Sequence, residues 1–193
     1  LARAATAYGM ETLIVSGDKD LAQLVDTKVR MCDSMKDVVY DVEGVEAKFG
    51  VPPERIVDFL ALVGDTSDNI PGVPKVGPKT AVRWLKEYGS LDQLVAQADG
   101  VPGKVGENLR ASLDQLPLSH QLATVKCDVA LEELPDDLKI GTPDEDALRQ
   151  LYAELEFKTW LADLGGLNEV DEGDGAVTAR YEIVLDKKAL SRW

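Results

Sequence analysis

The sequence predicts an α/β fold in which a small sheet precedes a mainly helical region. The segment at residues 12–16, TLIVS, has the near-continuous apolar character of a buried parallel strand. Residues 29–33 and 37–41 alternate between apolar and polar side chains around a short turn, as expected of two further strands. From residue 42 onward the apolar spacing becomes helical and is interrupted by glycine and proline. Two structural regions therefore follow one another along the chain.

The chain begins with the predicted end of a helix, residues 1–9, which Gly9 closes. The predicted strand at 12–16 runs into the loop SGDKD, and a short helix follows at 21–25. Active sites of open α/β sheets gather at the carboxyl ends of the strands, so Asp18 and Asp20 are candidate functional carboxylates. The alternative is that both residues only cap the short helix and interact with its dipole.

A second acidic pair follows the apolar helix predicted at residues 56–63, which begins after Pro52 and Pro53. Asp65 and Asp68 are three residues apart, so their carboxylates project from the same side of a helix or of its end. Paired hard oxygen ligands suit Mg²⁺ or Mn²⁺. The alternative interpretation of this pair is a helix cap or a solvated turn.

A glycine-rich and basic segment, residues 70–81, comes directly after the acidic pair. Gly72 and Gly77 permit tight turns, and Pro78 suits the first position of a helix, so the segment predicts a hairpin that opens into a helix. Free N–H groups at a helix N-terminus and nearby cations are typical of phosphate-backbone binding. The cations are Lys75, Lys79, Arg83 and Lys86. The alternative is a turn followed by a solvated basic face.

Helical spacing continues after the hairpin. Helices are predicted at 80–88, 91–98, 112–126, 144–156 and 157–164. Trp84 is predicted to face the core, and base stacking is the alternative. A second glycine-rich segment at 100–110, with Lys104 and Arg110 as its charges, echoes the hairpin and predicts a weaker second phosphate contact. Residues 165–176 are rich in glycine and charge, as expected of a linker, and a strand and a helix start are predicted beyond them.

The distribution of charge matters more than its total. The net charge is -14, which opposes a polyanionic partner at long range. However, residues 132–174 hold 14 acidic and 3 basic side chains, whereas residues 71–89 hold four basic side chains and one acidic one. Screening over about 10 Å lets this basic patch act locally. The overall acidity therefore does not exclude a nucleic-acid partner.

The composition narrows the remaining function classes. The chain has 193 residues, 45% of them hydrophobic, enough for a substantial core. It contains no apolar run of about 18 residues and no signal-peptide pattern, so we expect a cytoplasmic protein without a membrane partner. Cys32 and Cys127 are predicted to be reduced thiols in or near the core. His120 is the only histidine and looks structural, which leaves little for Ser/His or Cys/His catalysis.

The segments GDKDLAQLV and FLALVGDTSDNIPGVPKVGPKTA strongly resemble the 5' nuclease domain of bacterial DNA polymerase I, a relative of the flap endonucleases. The segments VPPERIVDFLAL and SHQLATVKCDVAL extend the resemblance, and YEIVLDKKAL is similar to the start of the proofreading-type domain in those polymerases. The implied fold is a partial Rossmann-like 5' nuclease (PIN-like) sheet followed by a helical region with a helix-hairpin-helix (H3TH) motif. The implied divisions are a nuclease core at 1–41, the helical region at 42–164, a linker at 165–178 and a 3'-5' exonuclease-like domain from 179.

By resemblance, the activity is Mg²⁺- or Mn²⁺-dependent hydrolysis of phosphodiester bonds at 5' flaps and RNA primers during DNA replication and repair. Asp18, Asp20, Asp65 and Asp68 match the family's ligands for two metal ions. The implied partners are flap or duplex DNA, RNA–DNA primers, and polymerase and proofreading domains of the same polypeptide, with a monomeric state and with K⁺ as a candidate ligand of the hairpin. The implied DNA-binding residues are Gly72, Lys75, Gly77, Lys79, Thr80, Arg83 and Lys104.

The sequence departs from the family in one respect, since the other carboxylates of the acidic centre and the basic arch should precede Leu1. The resemblance therefore implies a carboxyl-terminal part of the nuclease that cuts poorly by itself. Two alternatives remain open. A non-catalytic helix-hairpin-helix module would explain the basic patch but not the four carboxylates, and an α/β metal-dependent ribonuclease would explain Asp18 and Asp20 but not the hairpin.

Overall fold

A computed structural model of the chain describes residues 1–165. It contains two compact units, Leu1–Lys139 and Ile140–Trp193, the second described only as far as residue 165. The predicted strand and helix start beyond residue 176 lie outside the described residues, as does nearly all of the predicted linker. The predicted domain boundaries stay a prediction.

The first unit combines five strands with seven α-helices over its described residues. The strands are β1 Thr12–Val15, β2 Val29–Asp33, β3 Val38–Tyr40, β4 Gly64–Asp65 and β5 Ile70–Pro71. The helices are α1 Ala2–Ala7, α2 Val42–Phe49, α3 Ile56–Val63, α4 Pro78–Tyr88, α5 Leu91–Ala96, α6 Gly103–Ala111 and α7 Leu116–Ala123. Short 3-10 helices cover Lys19–Leu24, Pro53–Arg55, Ala98–Gly100 and Pro135–Asp137. Within residues 1–165 no helix is both long and apolar enough to cross a membrane.

Three strands form the predicted sheet, in the order β1-β2-β3. Strand β1 pairs in parallel with β2, and β2 pairs antiparallel with β3. The prediction that β1 is a buried strand is wrong, because Leu13 and Val15 are 48% and 64% exposed. An apolar parallel strand is buried only when both faces of its sheet are covered. Among the described elements, the face that carries Leu13 and Val15 has no such cover.

Helix α3 lies at the centre of the helical region. Its apolar run buries Ile56, Phe59, Leu60 and Leu62. It packs against α4 and α7, and Trp84 of α4 is 2% exposed, so the predicted inward orientation of this tryptophan is confirmed. The core thereby fixes the end of α3, from which the second acidic pair follows.

A buried carboxylate, Asp58, joins three helices within this core. Its Oδ2 accepts a hydrogen bond from the Leu91 N–H (3.2 Å) at the start of α5 and one from Arg55 (3.3 Å). The Nε2 atom of His120 in α7 lies 3.2 Å from its Oδ1. A buried carboxylate needs such partners because its transfer from water is costly. The only histidine therefore lies in a contact that braces α3, α5 and α7.

We expect Asp58→Ala to lower the free energy of unfolding by about 2–4 kcal/mol, because it leaves the Leu91 N–H and the Arg55 guanidinium without their acceptor. Denaturant unfolding would measure the change. Asp92, exposed in the first turn of α5, supplies the matched control, and Asp92→Ala should stay within about 0.5 kcal/mol of wild type. Equal effects of the two substitutions would contradict the bracing role.

The second unit contributes a helical pair, α8 Glu145–Glu154 and α9 Lys158–Gly165. Three aromatic side chains pack within it, with ring centroids 4.9 to 6.3 Å apart: Tyr152, Phe157 and Trp160. The predicted helices at 144–156 and 157–164 are confirmed within a few residues.

Candidate metal centre and nucleic-acid interface

Two segments far apart in the sequence meet at one acidic cluster. The 3-10 helix after β1 contributes Asp20, and the segment after α3 contributes Asp65 and Asp68. One oxygen from each carboxylate can be chosen such that all three lie within 4.8 Å of one another. The structure thus brings together three of the four predicted carboxylates.

The fourth predicted carboxylate, Asp18, has a different local role in the structure. Its side chain accepts a hydrogen bond from the Asp20 N–H (3.0 Å) and caps the 3-10 helix. It lies outside the three-carboxylate cluster but lines the same cleft as Asp68. The cap holds Asp20 in place, so the two acidic residues of the GDKD motif act at different points of the site.

Asp65 is the most buried member of the cluster, at 5% exposure. Its Oδ1 accepts a hydrogen bond from the Ser67 N–H (3.0 Å), and Lys19 Nζ lies 2.5 Å from its Oδ2. The contact with Lys19 lowers the pKa of Asp65 and raises the pKa of Lys19. Asp65 is therefore ionised, and its stabilising contribution to the fold is lost only as the pH falls through this lowered pKa.

Asp20 is shifted in the opposite direction. Burial raises its pKa above the ordinary value, and repulsion from Asp18 adds to the effect. A raised carboxyl pKa means that the ionised form destabilises the fold, so stability is lost as the pH rises from the ordinary pKa to the raised one. Its Oδ1 is buried and has no hydrogen-bond partner among the described residues. For both reasons, a bound cation would stabilise the ionised form of Asp20.

The donor set fits a divalent cation. Oxygens on opposite sides of a Mg²⁺ ion lie about 4.2 Å apart, since each metal–oxygen distance is about 2.1 Å. The observed spread of 4.8 Å needs only a small closure of the cluster to reach that geometry. Because Lys19 Nζ already contacts Asp65, it acts as a built-in counter-ion that a bound metal would have to displace. This role of Lys19 was not predicted from the sequence, although the residue stands between Asp18 and Asp20.

The predicted hairpin is built onto the same short ribbon as the acidic pair. Strand β4 pairs antiparallel with β5, which places Asp65 opposite Ile70. The backbone at Gly72 lies very close to the backbone at Val63. A Cβ added to Gly72 would lie 2.3 Å from both the carbonyl carbon and the carbonyl oxygen of Val63. Gly72 therefore allows the two chains to approach.

The hairpin opens into α4 as predicted. Gly77 is the N-cap and Pro78 is the first helical residue. Lys75 adopts a left-handed conformation (φ 65°) in the loop and is exposed. Lys79 and Arg83 are exposed one helical turn apart, whereas Thr80 is half-buried. The exposed basic side chains and the helix N-terminus thus share one surface.

Contacts distant in sequence brace this hairpin from two helices. Asn108 of α6 donates a hydrogen bond to the Pro74 carbonyl (2.7 Å), and Ser119 of α7 donates one to the Pro71 carbonyl (3.0 Å). Lys104, at the start of α6, forms an exposed ion pair with Glu107 (2.6 Å), a contact weak enough to leave its ammonium exchangeable. No local pattern in the sequence indicates either brace, because 34 and 48 residues separate the partners.

Comparisons with known proteins show which proteins this chain is similar to. A family model described as "5'-3' exonuclease, C-terminal SAM fold" matches residues 51–146. DNA polymerase I of Pseudomonas aeruginosa is 44% identical in an alignment that covers 100% of this chain and 23% of that protein. The 5'-3' exonuclease of Aquifex aeolicus is 42% identical, with 85% of this chain and 56% of that protein covered. The chain thus spans about a quarter of the length of the polymerase relative and just over half of the exonuclease.

Solved structures show the same fold. The T5 5'-exonuclease with bound zinc ions is 25% identical, with a TM-score of 0.59 over 63% of this chain and 46% of that chain. The catalytic core of Rad2 in complex with DNA shares the fold at 18% identity, with a TM-score of 0.52 over 83% of this chain and 60% of that chain. The resemblance predicted from the motifs and the α/β fold class are both confirmed.

Proposed function

Since the chain belongs to the 5'-3' exonuclease family, which it shares with bacterial DNA polymerase I, we propose that it supplies metal-binding carboxylates and a duplex-binding hairpin to a structure-specific 5' nuclease. One observation carries the proposal. The ribbon of β4 and β5 joins the acidic cluster to the basic hairpin, with Asp65 paired to Ile70. A DNA phosphate backbone that the hairpin binds would thereby be kept at a fixed distance from the carboxylates.

In this proposal Asp20, Asp65 and Asp68 hold divalent metal, with Asp18 at the edge of the same cleft. Two Mg²⁺ or Mn²⁺ ions, when bound, would activate water and neutralise the leaving oxygen of the phosphodiester. The protein's own part is to fix the ligands: the Asp18 cap positions Asp20, and the Ser67 N–H positions Asp65. No serine or histidine nucleophile is needed for this chemistry.

The hairpin is proposed to hold duplex DNA through its phosphates. Its contacts would be the N-terminus of α4, the backbone around Gly72 and Gly77, and five side chains, those of Lys75, Lys79, Thr80, Arg83 and Lys104. We also propose K⁺ as a ligand of the hairpin carbonyls. The proposed substrates are 5' flaps and RNA–DNA primers, processed during replication and repair by a monomeric, cytoplasmic polypeptide that also carries polymerase and proofreading domains.

Cleavage of a labelled 5'-flap substrate with Mg²⁺ tests the proposal. The 193-residue chain should be compared with a longer polypeptide that adds the amino-terminal portion of its exonuclease relatives. We expect the longer form to cut near the base of the flap and to lose this activity on Asp65→Ala. A preference for single-stranded RNA over the flap would favour the ribonuclease alternative. Robust cutting by the 193-residue chain itself would show that the four aspartates suffice.

We expect Lys79→Ala and Arg83→Ala each to weaken binding of duplex DNA irrespective of sequence, because each removes one phosphate contact. The dependence of log K on log salt should become shallower by about one unit for each substitution. Fluorescence anisotropy at several salt concentrations measures both effects. Lys28 is exposed directly before β2, and Lys28→Ala is the charge-matched control that should leave the slope unchanged. A wild-type slope for Lys79→Ala and Arg83→Ala, with folding intact, would reject the assignment.

A DNA-binding module without catalysis is the second candidate, and one observation favours it for the isolated chain. The hairpin is complete and braced by α6 and α7, whereas the described cluster holds only three carboxylates. Binding of duplex DNA that is equally tight with and without divalent metal, and that is never followed by cleavage in the longer polypeptide, would establish this candidate.

A further inference from the structure

The cleft beside the acidic cluster also carries positive charge. This cleft has a volume of about 510 Å³. Asp18, Lys19 and Asp68 line it from the acidic segments, and Lys36, Lys48 and Phe49 line it from the β2–β3 turn and the end of α2. Two of these residues, Lys36 and Lys48, supply positive charge. Neither residue belongs to the hairpin or to α4.

Lys48 is held in place without losing its charge. Its Nζ lies 4.1 Å from the ring centroid of Tyr40 and 5.2 Å from that of Phe49. Among the described residues no carboxylate lies within ion-pair distance of it. Tyr40 is buried at 8% exposure, so the platform under the ammonium is part of the core. A cation–π contact orients an ammonium but does not neutralise it, so the charge of Lys48 stays available to an anion.

Lys36 is positioned differently, through an ion pair with Asp33 at the end of β2 (2.5 Å). Asp33 is only 1% exposed, and its second oxygen, Oδ1, has no hydrogen-bond partner among the described residues. The buried carboxylate anchors the exposed ammonium of Lys36 at the cleft. Because this pair is neutral overall, Lys36 is expected to attract an anion less strongly than Lys48 does.

We propose that Lys48, assisted by Lys36, binds a backbone phosphate of the DNA strand next to the scissile phosphodiester. The proposal rests on the nuclease function proposed above. A cluster of carboxylates repels a phosphate backbone. A DNA strand that enters this cleft therefore needs a positively charged side chain next to the phosphate that neighbours the reacting one. A lysine ammonium supplies such a point charge for phosphate. Lys48 is therefore a positioning residue, distinct from the duplex contacts of α4.

The test is the binding of a 5'-flap duplex in the presence of Ca²⁺, measured by fluorescence anisotropy across a range of salt concentrations. Lys48→Met removes the charge while keeping an apolar stem over Tyr40. We expect it to weaken binding about fivefold and to lower the salt slope by about one unit. Lys48→Arg should restore both values. Lys28→Met is the matched control. Lys28 precedes β2, whereas Lys36 and the cleft lie at the other end of that strand.

Neutral methylphosphonate linkages placed one at a time around the flap junction locate the contact. At the phosphate that Lys48 binds, the wild-type protein and Lys48→Met should bind the modified flap equally, whereas at all other positions the fivefold difference should persist. Wild-type affinity and slope for Lys48→Met, or a difference that no single neutral linkage removes, would overturn the inference. If Lys79→Ala weakens binding and Lys48→Met does not, only this inference fails. If neither does, the proposed DNA-binding function fails as well.

Discussion

Replacing Asp65 by Asn is expected to abolish the stabilisation of the protein by Mn²⁺ or Mg²⁺. In the wild-type chain, a ligand at 100 times its Kd raises the free energy of unfolding by about 2.7 kcal/mol, because it binds only the folded state. Asp65 is the buried member of a cluster whose oxygens lie within 4.8 Å. Removing its charge leaves Asp20 and Asp68 as the remaining anionic ligands, and Lys19 without its partner close to them.

Thermal or denaturant unfolding with and without Mn²⁺ measures this effect, and calorimetric titration measures the affinity directly. At the same metal concentration we expect the stabilisation of Asp65→Asn to fall below about 0.5 kcal/mol, which corresponds to a Kd at least 70-fold weaker. Asp99, which is exposed and distant in sequence from the cluster, supplies the control, and Asp99→Asn should keep the full metal effect. Equal metal stabilisation of wild type and Asp65→Asn would show that the cluster is not a metal centre.

Gly72→Ala is expected to have the largest effect on stability of any substitution in the hairpin. The added Cβ would lie 2.3 Å from the Val63 carbonyl and 2.5 Å from the Gly64 nitrogen, and both contacts are with backbone that cannot rotate away. Opening the ribbon would separate β4 from β5 and disturb the link between α3 and the hairpin. We expect a loss of at least about 4 kcal/mol, or failure to fold.

Gly77 offers a control within the same hairpin. A Cβ there would meet nothing within 4 Å, and its φ of −105° is open to any residue. Gly77→Ala should therefore cost about 1 kcal/mol or less, mainly as a weaker helix N-cap. Urea unfolding of both variants gives the comparison. A similar, small loss for both variants would mean that the close approach at Gly72 is not a feature of the folded protein.

Local patterns predicted most of the secondary structure, because the deciding forces act between neighbours in sequence. The strand at residues 29–33, the helix that ends at Gly50 in a left-handed conformation, and α4 with Gly77 and Pro78 at its start follow from side-chain period, glycine conformation and the fixed φ of proline. The burial of β1 could not be predicted in the same way, since it depends on what covers the sheet.

The sequence by itself also determined the chemistry, since carboxylates in pairs, a basic glycine-rich hairpin and the family motifs are properties of residue type and order. Only the tertiary structure decided which of those groups meet. It joined Asp20 to Asp65 and Asp68 across 45 residues and inserted Lys19 as a counter-ion. It also placed Lys48 at the same cleft, over Tyr40. Such meetings depend on how α3 and the sheet pack, and packing is set by the whole core rather than by any local stretch of sequence.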